Sequence, residues 1–103
     1  MLGEWLGEGS KTTETFVTET DRWEMEWKVL CDDKSVGTFL EVNVTKPGEN
    51  TPAWTLSYFG GYNEGKWHGQ NIQVQIPPGE YYLEITSENI RWEIVVKEPG
   101  GSR

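Results

Sequence analysis

His68 is the only histidine of the chain and Cys31 its only cysteine, so chemistry that needs a base, a thiolate or a set of soft metal ligands has few parts to draw on. One of each falls short of the Cys/His set that zinc takes. A Cys31–His68 dyad would supply a nucleophile and its base, yet no motif surrounds either residue, and a partly buried, inert thiol is the plainer expectation. Asp32 and Asp33 would hold calcium only with carbonyl oxygens brought in from elsewhere. Glu24 and Glu26, like Glu80 and Glu84, stand at spacings that keep both acids on one face of a strand. A glycosidase needs two carboxyls about 5 to 9.5 Å apart in unlike environments, whereas solvated acids on a strand face pair with neighbours such as Arg22, Lys28 or Arg91. The expectation is a protein with no catalytic residue, no metal site and no cofactor.

Binding residues are a different matter. Residues 60–69 place Tyr62 and Trp67 among four glycines, with Asn63, Glu64, Lys66 and His68 beside them. Large aromatics on a long connection are the usual means by which a rigid scaffold stacks on a sugar ring or a flat apolar partner. Tyr62, Asn63, Trp67 and His68 are therefore the candidate ligand-binding residues, with the alternative that Trp67 folds back to plug an open end of the core. Trp5 and Leu6, apolar within a glycine-rich leader, are candidates for docking a partner, or else they tuck against a sheet edge.

The elements that position these residues follow from period-two alternation. Trp23, Met25, Trp27 and Val29 alternate with Arg22, Glu24, Glu26 and Lys28, the pattern of a strand with one face buried and one in water. Ile90, Trp92, Ile94 and Val96 repeat it near the C-terminus. Thr38, Leu40, Val42 and Val44, then Trp54, Leu56 and Tyr58, then Ile72, Val74 and Ile76, then Tyr81, Leu83 and Ile85 mark further strands, and the threonine-rich residues 12–20 mark the first. Residues 46–52, with two prolines, a glycine and an asparagine, form a loop. Pro77, Pro78 and Gly79 mark a stiff turn whose natural reading is a hairpin, with a crossing between sheets as the alternative. About seven short strands without helical periodicity predict an all-β, single-domain antiparallel β-sandwich with jelly-roll or Greek-key connections. The sandwich is expected over residues 11–98, with residues 1–10 a flexible or docking leader and 99–103 a flexible tail. Charges on the strands, such as Glu24, Lys28 and Lys97, read as protection against edge-to-edge pairing.

With 103 residues the chain makes one domain, which hides about 60 to 70% of its unfolded surface. Six Trp, four Tyr and three Phe concentrate a lean apolar content into an aromatic core. Seventeen acidic against nine basic residues give a net charge of −8, which repels a phosphate backbone and argues against nucleic acid as a partner. No run approaches the roughly 18 apolar residues of a membrane span. The first ten residues carry acids in place of a basic, then apolar, leader, so no signal peptide is visible.

Pro78-Gly79-Glu80-Tyr81-Tyr82-Leu83-Glu84-Ile85, followed by Trp92-Glu93-Ile94-Val95-Val96, resembles the closing hairpin of small prokaryotic extracytoplasmic β-sandwich domains, including the pre-peptidase C-terminal type. Gly7-Glu8-Gly9, Thr15-Phe16-Val17 and Trp23 look similar to the first hairpin of the same domains. The chain departs from that pattern in ending on Trp92-Glu93-Ile94, where Tyr-x-Leu is commoner. The resemblance implies a jelly-roll-like accessory domain at the cell surface or outside the cytoplasm, without catalytic residues of its own. The expected function is thus a noncatalytic module that binds carbohydrate or protein. A self-assembling subunit of a surface or virion assembly is the alternative, and a small hydrolase a distant third. Monomer and homo-oligomer remain equally open.

Overall fold

A computed structural model describes residues 2–31, 37–60 and 66–98. Nine strands lie among these residues: β1 (Gly3–Glu8), β2 (Lys11–Thr12), β3 (Phe16–Thr18), β4 (Arg22–Leu30), β5 (Thr38–Thr45), β6 (Trp54–Gly60), β7 (His68–Gln75), β8 (Gly79–Glu88) and β9 (Arg91–Lys97). They form two antiparallel sheets packed face to face. Sheet A has the order β1-β9-β4-β7, and sheet B the order β2-β8-β5-β6, with β3 also paired to β8. Since β2 and β3 both run along β8, they act as one interrupted strand. Counted that way, the sheets read first-eighth-third-sixth and second-seventh-fourth-fifth, which is the jelly-roll order of two interlocked Greek keys.

Period-two burial builds the interior as the alternation predicts. Trp23, Met25, Val29, Trp92, Ile94 and Val96 of sheet A are fully buried against Leu40, Val42, Val44 and Leu83 of sheet B. The register carries each pattern into its neighbour: Trp27 lies across from Ile94, and Val42 from both Leu56 and Ile85.

Three expectations are corrected. Strands number nine rather than about seven, and the first of them comes from the supposed leader, where Gly3–Glu8 pairs with β9. Glycines interleaved with Trp5 conceal that strand's alternation, because a glycine contributes no apolar side chain to count. The single strand expected over residues 12–20 is two short pieces. Between them the buried Thr13 accepts the Leu83 amide through Oγ1 (3.0 Å) while its own amide donates to the Leu83 carbonyl (2.9 Å), so a hydroxyl substitutes for a missing ladder group. Finally, Glu24, Lys28 and Lys97 lie on the interior strands β4 and β9 and protect no edge.

The connections correct one more expectation. The prolines at 77 and 78 carry the chain from β7 in sheet A to β8 in sheet B, so the turn is a crossing between sheets and not the expected hairpin. Tyr81 Oη fixes it by donating to the Pro77 carbonyl (2.5 Å). Burial and the nearby Glu49 carboxylate raise the pKa of Tyr81 above its ordinary value, which keeps that phenol a donor. The opposite crossing, from β1 to β2, turns at Gly9, whose φ of +76° favours a residue without Cβ. Its carbonyl accepts from Trp92 Nε1 and Ser87 Oγ, both at 3.0 Å, one donor from each sheet. The expected flexible tail at 99–103 lies outside the described residues.

Candidate functional site

The outer face of sheet A is a patchwork of polar side chains set by register. Lys28 lies between Gly69 of β7 and Glu93 of β9, and Glu93 in turn faces Leu6 of β1. One row below, Glu26 faces Asn71. Lys28 Nζ sits 3.6 Å from Glu93, Lys97 Nζ 3.8 Å from Glu26, and Asn71 Nδ2 donates to Glu24 (3.1 Å). The acids at 24 and 26 are therefore held by side chains from neighbouring strands. Such half-exposed pairs contribute little to stability, about 0 to 1 kcal/mol each; they orient polar groups along a nearly flat strand surface.

Gly69 shapes this face. A Cβ there would meet the Trp27 carbonyl oxygen and come within 2.9 Å of Lys28 Cα, so only glycine lets β7 close up on β4 at that point. A shallow trough of about 580 Å³ lies over that point, floored by Gly69 and bordered by Leu6, Lys28, Asn71, Glu93 and Trp67. Trp67 forms one wall with 48% of its surface exposed, while Leu6, 66% exposed, stands at the other end.

Of the candidate ligand-binding residues, Trp67 reaches this trough and His68 does not. His68 pairs with the buried Val29 and so faces the interior side of β7, where its ring lies 6.1 Å from Trp27 and 5.7 Å from Tyr58. Both residues are exposed, His68 over the rings of Trp27 and Tyr58, and Trp67, just ahead of β7, along the trough. Tyr62 and Asn63 lie outside the described residues. Of the docking pair, Trp5 is in the core, 7% exposed, with its Nε1 donating to Glu14 (3.0 Å), and only Leu6 is on the surface. The Trp5 indole N–H holds the Glu14 carboxyl below its ordinary pKa. Cys31 is 2% exposed, and Asp32 and Asp33 lie outside the described residues. Among the described residues, no three His, Cys, Asp or Glu side chains converge as a metal site would require.

Glu26, Lys28, Asn71 and Glu93 were not singled out as binding residues from the sequence, and Leu6 only as a residue for docking a partner. Each falls on the polar side of an alternating strand, which announces a wet face and nothing more. Their convergence depends on the order β1-β9-β4-β7, in which the first and ninth strands are neighbours although they stand at opposite ends of the chain. Among known proteins, no family model and no curated sequence matches this chain.

Proposed function

We propose that the domain is a noncatalytic binding module that holds a carbohydrate along the outer face of sheet A. The observation that carries this reading is the half-exposed Trp67 indole beside a trough whose rim offers an amide, an ammonium and two carboxylates (Asn71, Lys28, Glu26 and Glu93). A sugar presents an apolar ring face and a fringe of hydroxyls, and it is matched by an aromatic plate flanked by planar hydrogen-bonding groups. The trough is open and shallow, which suits a chain lying on a surface better than a small molecule enclosed in a cavity. The sequence of the last two strands resembles that of prokaryotic extracytoplasmic accessory domains, although β8 and β9 lie in different sheets and form no hairpin, and that likeness supports a place outside the cytoplasm, where glycans are abundant.

Glycan-array binding followed by calorimetry on the best glycan tests the proposal. Trp67→Ala is expected to weaken retention at least tenfold with the unfolding midpoint unchanged. A wild-type domain that retains no glycan across the array, or a Trp67→Ala variant that binds as well as wild type, would overturn it.

A further inference from the structure

The two lateral sides of the sandwich end differently. On one side the edge strands are β1, with Glu4 and Glu8, and the β2/β3 pair, broken at Thr13–Thr15 and flanked by Lys11 and Glu14. Charge and interruption are the standard protections of an exposed edge. On the other side the edges are β6, seven residues long, and β7, eight residues long. Neither strand contains an Asp, Glu, Lys, Arg or Pro. β7 is instead built of Gln70, Asn71, Gln73 and Gln75 around Ile72 and Val74, and among the described residues no strand pairs with its outer edge.

We infer that β7 pairs antiparallel with β7 of a second copy of this chain, joining two A sheets into one eight-stranded sheet across a two-fold axis. An edge strand directs alternate N–H and C=O groups outward, and a second antiparallel strand satisfies them. The occupant follows from charge. At a net charge of −8 two copies repel over most of their surface, so self-association needs a neutral strip, and β7 supplies one. Carboxamides suit a two-fold axis, because each offers both a donor and an acceptor and so complements its own copy. A carboxylate meeting its own copy would only repel.

Symmetry also limits the register. A two-fold normal to the sheet keeps both outer faces on one side, so paired residues must share strand parity. Centring the axis on Ile72 sets that half-buried side chain against itself on the inner face. On the outer face it sets Asn71 against Gln73 of the second copy, twice. Asn71 already donates its NH2 to Glu24 (3.1 Å), which leaves its Oδ1 free to accept from that glutamine. The contact is isologous and closes at two copies.

Sedimentation equilibrium on the full chain over a micromolar to sub-millimolar range reads the result, which is expected to be a monomer–dimer equilibrium reaching twice the chain mass. N71K/Q73K places lysine against lysine at both symmetric positions and is expected to raise the dimer dissociation constant by ~100-fold or more, since like-charge juxtaposition across an interface costs several kcal/mol. N71K/Q73E places lysine against glutamate at both and is expected to restore dimerisation. Should a charged variant fail to fold, Ile72→Cys gives an independent readout: oxidation is expected to cross-link two copies through residue 72, and Ser57→Cys on β6 is expected to give no such product. A strictly monomeric wild-type chain, a dimer indifferent to N71K/Q73K, failure of N71K/Q73E to rescue, or no cross-link at residue 72 would each overturn the inference.

Discussion

Both lateral sides of the sandwich are closed by an aromatic pair that bridges the two edge strands, and the two pairs are buried to very different degrees. On the β1 and β2/β3 side Trp5 packs on Phe16 (5.9 Å between ring centres), Phe16 meets Trp23 edge-on (5.6 Å), and all three rings are nearly inaccessible to water. On the β6 and β7 side Tyr58 and His68 lie 5.7 Å apart over Trp27, but Tyr58 is only half-buried and His68 is exposed. The first side is sealed as a core is sealed. The second is left as a surface is left, with Trp54, Leu56 and Ile72 also half-buried along it. The difference teaches that one flank of this jelly roll belongs to the core while the other keeps incompletely buried aromatics on uncharged edges, the kind of surface on which the proposed pairing through β7 rests.

The largest effect that tests this asymmetry is the removal of one ring from each side. Phe16→Ala is expected to destabilise the domain by about 3 to 5 kcal/mol, because removing a buried ring leaves a cavity between Trp5 and Trp23. Tyr58→Ala on the open side is expected to cost about 1 to 2 kcal/mol, for half the burial and one tilted aromatic contact. Urea unfolding with unchanged m-values measures both. Equal midpoints for the two variants would abolish the distinction between the sides.

Next in size is the corner that leads onto the sealed side. Gly9→Ala forces a side chain into the left-handed region at φ +76° and is expected to cost about 1 to 2 kcal/mol. No atom stands within 4 Å of where the Cβ would go, so the cost is conformational and a larger side chain should add little to it. If Gly9→Val were far worse than Gly9→Ala, crowding rather than backbone conformation would be responsible.

The sheets, the inward residues and the aromatic composition of the core were legible in the sequence because each long strand carries its own alternation, Trp23 to Val29 being the plainest. What was not legible has a physical reason in each case. β1 hid because Gly3 and Gly7 occupy its inward positions beside Trp5. β7 began earlier than its apolar run, because His68 and Gln70 are inward positions filled by polar residues where the core thins out. The trough was invisible because no local pattern states that Leu6 lies beside Glu93, or Lys28 beside Gly69. The charged residues read as guards of the edges are real, but only topology tells which strands are edges.

A smaller effect concerns the turn that carries the chain away from the sealed side. One oxygen of Glu98 accepts from the amides of Glu19 and Thr20 and from Thr20 Oγ1, each at 2.9 Å. Burial works to raise this carboxyl's pKa, but the three hydrogen bonds outweigh it and hold the group below its ordinary value of 4.5. A carboxyl depressed on folding contributes stability that is fully present above its unfolded pKa and is lost as the pH falls through the folded one. Between pH 7 and 5 the contribution is constant; below about 4.5 it declines. For so exposed a group the total is less than about 1 kcal/mol. Glu98→Gln is expected to lower stability at pH 7 and to flatten the acid limb of the pH profile, as followed by thermal unfolding at stepped pH. An acid limb as steep as that of the wild type would remove Glu98 from the account.

The smallest expected change in stability belongs to the open side and is also the most diagnostic of its use. Trp67 contributes wall rather than core, so Trp67→Ala should shift the folding free energy by no more than about 0.5 kcal/mol, as surface substitutions generally do. Four of the six indoles, all on sheet A, are buried and that of Trp54 is half-buried, whereas Trp67 exposes 48% of its surface. It should therefore account for most of the acrylamide-quenchable tryptophan emission, and its removal should leave a spectrum that is bluer and resistant to quenching while the unfolding midpoint stays in place. A wild-type protein whose emission is already shielded would mean that Trp67 is covered in solution. Dimerisation through β7 distinguishes the two explanations for such shielding, since N71K/Q73K restores quenching if a second copy is the cover and leaves it unchanged if the chain itself is.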